Sequence, residues 1–104
     1  MDLGYYTLDE AHGLVPATLL EWAAMFDDIS KRRVGYDIVD GVTVSTVFLG
    51  TDHGFGGHRE FFETMTFGGA YDQLLIGRCA TWDEAVEGHR VTVNRLRAGY
   101  HPAR

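Results

Sequence analysis

Through much of residues 33 to 79, apolar and polar positions alternate with a period of two; the flanking segments repeat at helical spacing. In the first helical segment, Leu19, Trp22, Phe26 and Ile29 recur on one face with Met25 beside them. Thr18 and Glu21 form a capping box ahead of them, so the spacing predicts a helix over 18–30. The preceding "YYTLDEAHGLVPA" reads as a short ribbon turning at His12-Gly13. "RVGYDIV" and "VTVSTVFLGTD" flank Asp40-Gly41, a tight-turn signal between β-branched residues, and predict a hairpin. "FFETMTFGG" and "LLIGRCA" supply a third and a fourth strand. A second capping box, Thr81 to Glu84, opens a helix that runs to Ala98 before Gly99. Its apolar stripe is Trp82, Ala85, Val86, Val93 and Leu96, and His89 falls within it.

These elements predict an α+β fold. An antiparallel meander of three to four strands, plus the N-terminal ribbon, carries two helices on one face. With 104 residues the chain forms a single domain, and residues 99–104 are expected to be a flexible tail.

The stretch "TDHGFGGHREFFETM", residues 51–65, sets a bend and several ionisable groups between two apolar strands. A hairpin placing Asp52 opposite Phe61 also sets Gly50 against Glu63, Phe48 against Met65 and Thr46 against Phe67. Val42, Val44, Phe48, Phe61, Met65 and Phe67 then make one core layer, and Glu63 stands inside it. A slip of one residue exchanges Asp52 for His53 and turns Val47 and Leu49 inward. His89 should point at the same layer from the last helix. A carboxylate and an imidazole in an apolar layer are costly unless they meet polar partners. Glu63 and His89 are therefore expected to lie together, with Asp52 or His53 nearby. The leading reading is a satisfied buried network that fixes the register. An acid/base pair is the second reading, and zinc held by His53, His58, His89 and a carboxylate the third. No other cofactor is implied.

Composition narrows the picture further. A 45% hydrophobic content suits a globular core, and no apolar run approaches a bilayer span. Cys79 is the only cysteine and cannot form an internal disulfide, which fits a reducing, cytoplasmic location. The net charge of −6 argues against broad nucleic-acid affinity. Residues 1–28 are acidic, and Lys31-Arg32-Arg33 and Arg90/Arg95/Arg97 sit where helices end, complementing their dipoles. "GFGG" leads into a strand rather than a helix, so it reads as a bend and not as a phosphate cradle. Phe55, held between glycines at the loop tip, is expected to be exposed and suits partner contact. Cys79, Ser30 and Ser45 lack the neighbours of an activated nucleophile.

Three blocks, "VSTVFLGTDHGFG", "FETMTFGG" and "ATWDEAVEGH", resemble a family of small bacteriophage and prophage proteins common in phages of actinobacteria. The resemblance covers residues 42–92, and "LVPATLLEWAAMF" fits it less specifically. Where the family's loop usually runs through Gly-Pro-Pro, this chain has Gly57-His58-Arg59. The resemblance implies a phage context without an assigned activity. The expectation is an intracellular accessory protein that binds a host or phage protein, with Asp52, His53, Phe55, His58, Glu63 and His89 as candidate binding residues. The alternatives are a small metal-assisted or acid/base hydrolase using Glu63, His89 and Asp52 or His53, and a virion component.

Overall fold

A computed structural model describes residues 3–104 of the chain. Its order is β1 (Tyr5–Leu8), β2 (Leu14–Ala17), α1 (Leu19–Asp27), α2 (Ile29–Arg32), β3 (Arg33–Val39), β4 (Val42–Phe48), β5 (Phe62–Phe67), β6 (Leu74–Cys79) and α3 (Trp82–Arg97). A 3₁₀ turn, Gly69–Tyr71, precedes β6. Strands β1 and β2 pair as a separate ribbon, and β3-β4-β5-β6 form one antiparallel sheet in sequence order. The fold is α+β with an antiparallel meander.

The local signals act as the sequence implies. Asp40 and Gly41 both take positive φ, which the tight hairpin turn requires. Thr18 and Thr81 each accept from the backbone N–H three residues on, and Glu21 and Glu84 return the bond. Helix α3 lies across all four strands of the sheet. It buries Ala85, His89, Thr92, Val93 and Leu96.

The first helix is shorter than the 18–30 expected. Asp28 takes an extended conformation, closes α1 and caps α2 by accepting from the Ser30 N–H. Of the apolar stripe, Met25 is buried while Leu19, Phe26 and Ile29 stay exposed. Met25 joins Tyr6, Phe48, Phe61, Phe62 and Ala85 in one core cluster, and Val39, Val42, Val44, Val93 and Leu96 form a second. The ribbon and α1 dock at the Gly50 end of the sheet. The Tyr6 N–H donates to the Gly50 carbonyl at 2.9 Å, and Trp22 Nε1 donates to the Leu49 carbonyl at 3.1 Å.

Strand register departs from the expectation in a consequential way. Phe48 pairs with Phe62, Thr46 with Thr64 and Val44 with Thr66. The expected partners of Phe48 and Thr46 were Met65 and Phe67, three positions further along. An odd offset exchanges the two faces of β5. Val42, Val44, Thr46 and Phe48 do face inward, but they meet Phe62, Thr64 and Thr66 there. Glu63, Met65 and Phe67 face the other side. The physical reason is that β4 ends at Phe48, because Gly50 takes φ +74° and turns the chain out of the ladder.

Within the closing segment 99–104, expected to be a flexible tail, His101 and Pro102 pack on the domain, while Tyr100, Ala103 and Arg104 are exposed. Pro102 is fully buried, the His101 ring lies edge-on to Tyr71 at 5.0 Å, and Arg95 Nε donates to the His101 carbonyl at 2.8 Å. Among the described residues no helix is long and apolar enough to cross a membrane.

Candidate functional site

His89 faces the sheet, as its place on the α3 stripe implied, and is only 7% exposed. Its partners are not those expected. Nε2 lies 2.7 Å from Asp37 Oδ2 on β3, and Nδ1 lies 2.7 Å from Thr46 Oγ1 on β4. Thr46 Oγ1 is in turn 2.7 Å from Thr64 Oγ1 on β5. One chain of hydrogen bonds therefore runs from Asp37 through His89 and Thr46 to Thr64, beneath α3 and across three strands.

Each member has a local reason to be there. Asp37, Thr46 and Thr64 share the inward phase of their strands, paired at Asp37–Val44 and Thr46–Thr64. Gly35 is opposite Thr46, and a Cβ built on it would come within 2.7 Å of three atoms of the His89 ring. Its missing side chain is the space that the imidazole fills. Thr46 is wholly buried, whereas the Asp37 side chain is 44% exposed and reaches solvent at the sheet edge. Every buried side-chain polar atom described has a partner. The arrangement ties α3 to the sheet by paired polar groups, as a buried network must. Thr46 cannot attack a substrate from a fully enclosed position, so the Asp–His–Thr sequence is not a nucleophilic triad.

Glu63 lies on the opposite face of the sheet from His89. It pairs with Arg78, whose Nε donates to Oε2 at 3.0 Å, and the two residues are cross-strand neighbours. The expected meeting of Glu63 with His89 does not occur, because the β5 register turns Glu63 away. A hydrolase built on Glu63, His89 and Asp52 or His53 thus has no common site. His53 and His58 are exposed on the loop, and no group of three His, Cys, Asp or Glu side chains among the described residues is placed to hold a metal ion.

The loop itself is organised by Asp52. Its Oδ1 accepts from the backbone N–H groups of Gly54 and Glu60, each at 2.9 Å. The Glu60 and Gly54 bonds hold the Asp52 carboxyl below its ordinary range, with Arg59 helping. His53 Nε2 lies 3.0 Å from Thr51 Oγ1, and the His53 N–H donates to the Glu60 carbonyl. Gly54 is packed so tightly that a Cβ would overlap the His58 carbonyl, at 1.6 Å. Arg59 Nη2 donates to the Tyr6 hydroxyl and its guanidinium lies over the Phe61 ring, fastening the loop to the core. Phe55 projects from the tip, 89% exposed.

Asp52→Ala should therefore release the loop while leaving the sheet intact. The Gly54 and Glu60 amides are expected to lose hydrogen-exchange protection, and the β4 and β5 amides to keep theirs. Since folding lowers this carboxyl's pKa, the tether is complete above the unfolded value and is lost as pH falls through the folded one. Acid titration of the Gly54 and Glu60 amide shifts checks that direction; shifts that report loosening on alkalinisation instead would exclude the tether.

Two features lie outside the expected cluster. The first is the outer face of the sheet, where Tyr36 and Ile38 of β3, Val47 of β4, Met65 and Phe67 of β5 and Leu75 of β6 face away from α3. Ile38 is 64% exposed, and Tyr36, Phe67 and Leu75 are also exposed. The second is a cleft of about 400 Å³ between β6 and α3, which Thr64 also lines. Sequence reading missed Gly35, Asp37, Thr46 and Thr64. The available signal was the inward phase of Thr46 within Val42-Val44-Phe48, a polar residue in an apolar row.

Fold and site together define a small α+β domain with a four-stranded antiparallel meander, one helix laid across it and one broad face left bare. No protein-family model, curated protein or solved structure matches the chain.

Proposed function

We propose that this protein acts by binding another protein, with the outer face of the four-stranded sheet as its contact surface. The observation that carries this reading is the exposure of Tyr36, Ile38, Phe67 and Leu75 on one continuous face. Strands six to seven residues long and about 4.8 Å apart give a face on the order of 400 Å². Exposed apolar side chains grouped on one face, with charged residues at its border, often mark a contact surface.

Charge specifies the partner's chemistry. The side chains on this face include Arg33, whose guanidinium lies over the Tyr36 ring, and the Arg78–Glu63 pair. The face is therefore mildly positive on a chain whose net charge is −6. It suits a partner with an apolar centre and carboxylates at its border. Phe55 on its anchored loop offers a further apolar contact. The resemblance to actinobacteriophage and prophage proteins supports a host or phage partner and an accessory role.

The test compares the wild type with an Ile38→Asp/Phe67→Asp double variant as bait in a host lysate. Both substitutions lie on exposed positions, so the variant should fold as the wild type does by circular dichroism. A single stoichiometric partner is expected on the wild type, with affinity reduced about 100-fold or more in the variant. Equal recovery on both baits, or none on either, counts against the proposal. Sedimentation of the purified protein tests another occupant, since a dimer lost in the same variant would assign the face to self-association.

A further inference from the structure

Strands β3 and β6 are the two edges of the sheet, and only one of them is guarded. Asp37 points inward from β3 towards His89, and an inward carboxylate keeps an edge strand from accepting another. Strand β6 carries no Lys, Pro or inward charge. Its one charged side chain, Arg78, turns to the outer face and pairs with Glu63. Among the described residues no strand lies beyond β6, so one row of its main-chain N–H and C=O groups has no ladder partner. The direction of these groups follows from one bond. The Cys79 carbonyl accepts from the Phe61 N–H and so points towards β5. Main-chain groups alternate along a strand, so the Arg78 N–H and C=O point to the free edge.

A groove follows that edge. The cleft of about 400 Å³ between β6 and α3 and a second hollow of about 470 Å³ share Arg78, Cys79 and Glu84. The depth of the cleft comes from what its walls lack. Gly77 of β6 and Gly88 of α3 line it, and a Cβ added at either would meet no atom within 4 Å. Glycine is a poor helix residue, and no neighbour of Gly88 demands it. Ile76, Ala85 and Val91 supply an apolar wall. The charged side chains of the cleft are already engaged. Arg78 is held by Glu63, Arg95 by the His101 carbonyl and Glu84 by the Thr81 cap, while the Thr64 hydroxyl is bonded to Thr46. Burial, with Glu84 adding, pushes the Cys79 thiol up to about 11 and keeps it neutral. Along the cleft, the polar groups left to a ligand are those of the β6 main chain.

We infer that the β6 edge docks an extended peptide segment of another protein, which adds a fifth strand to the sheet and sets an aliphatic side chain into the cleft under α3. Main-chain pairing supplies the bonds, and the pocket for alternate side chains supplies the selectivity. Cross-strand partners share a face, so the segment's residue opposite Gly77 lies on the α3 side, as Thr64 does. It fills the space that Gly77 and Gly88 leave. The residues flanking it turn to the outer face, beside Arg78. Charge matches this occupant: a cleft without a free charge accepts an aliphatic side chain and rejects an ionised one, which would be desolvated without a partner. The length of the edge selects it too. Six residues span about 20 Å, too little to supply the roughly 800 Å² per partner of a stable complex of two whole domains. The edge is a second contact site, separate from the outer face and not dependent on that reading.

The probe is a displayed library of random peptides of about eight residues, long enough to span the edge, panned on the whole chain. Enriched sequences should carry aliphatic residues at alternate positions and no charge there. Resynthesised with capped ends, an enriched peptide should shift the Gly77, Arg78 and Gly88 amides in NMR titration. Arg78→Pro removes the edge N–H but no bond to β5, and should weaken binding about tenfold or more. Arg78→Leu keeps the N–H and loses the charge, so it should bind as the wild type does. Gly88→Leu fills the cleft without a clash and should abolish binding with the fold retained by circular dichroism, and N-methylation of the peptide's ladder amides should abolish it as well. Ile38→Asp/Phe67→Asp should leave peptide binding unchanged, which separates this site from the outer face. A library that yields no enriched sequence would overturn the inference. So would undiminished binding in Gly88→Leu or by the N-methylated peptide, or a loss in Arg78→Leu equal to that in Arg78→Pro. A dimer in sedimentation that Arg78→Pro dissociates would assign the edge to a second copy instead.

Discussion

Gly50→Ala is expected to destabilise the protein by about 3–5 kcal/mol, the sum of a strained backbone and an overpacked contact. Gly50 has φ +74°, where an L side chain is disfavoured. A Cβ there would stand 2.4 Å from Trp22 Nε1 and 2.9 Å from the Tyr6 carbonyl oxygen. Relief of that overlap has to displace the Trp22–Leu49 and Tyr6–Gly50 bonds, through which α1 and the ribbon reach the sheet. The substitution thus acts on the junction of the two parts of the molecule. A melting temperature lower by on the order of 15 °C is expected from thermal unfolding. A loss below about 1 kcal/mol would show that the junction yields easily.

Gly35→Ala should cost about 2–4 kcal/mol for a different reason. The backbone of Gly35 is not in the left-handed region, so alanine adds no conformational strain. Its methyl would press on Cδ2, Cγ and Nε2 of His89, each at 2.7 Å. The ring cannot slide away, because both nitrogens are fixed, one to Asp37 and one to Thr46. His89→Ala alone is also destabilising, since it empties the space and deprives Thr46 of a partner. Combined with Gly35→Ala, however, it removes the clash. The double variant should be less destabilised than the two single changes added together, by about 1–3 kcal/mol. Chemical denaturation of the four proteins measures this coupling, and simple additivity would refute the contact.

Most of the fold could be read from short-range chemistry. Asp40-Gly41 fixes the β3–β4 hairpin, so its register follows from the turn. Thr18 and Thr81 announce their helices, and the α3 stripe turns His89 inward. The β4–β5 register could not be read in this way. The segment between Phe48 and Phe62 is too long for turn geometry to set the pairing, and "FFETMTF" offers apolar residues on both faces. Choosing Phe61, Met65 and Phe67 as the inward set maximises apolar size. Phe61 is buried, against Tyr6, but within β5 the protein turns Phe62, Thr64 and Thr66 under α3, where Thr64 joins the hydrogen-bond chain of the imidazole. The same preference leaves Met65 and Phe67 on the bare side. Charge pairing misled in the same direction: Glu63 suggested a partner for His89, whereas Asp37 and Thr46 on two other strands supply it.

The topology has a kinetic corollary. Every rung of the sheet joins strands adjacent in sequence, so forming the meander needs only local closures, the longest of them across residues 49–61. The return of α3 to the first of those strands is different, since His89 and Asp37 are 52 positions apart. That closure is expected to come late, once the hairpins have organised. The imidazole that reads as an isolated polar residue in the helix is then a latch, engaged only when all three strands beneath it have found their places.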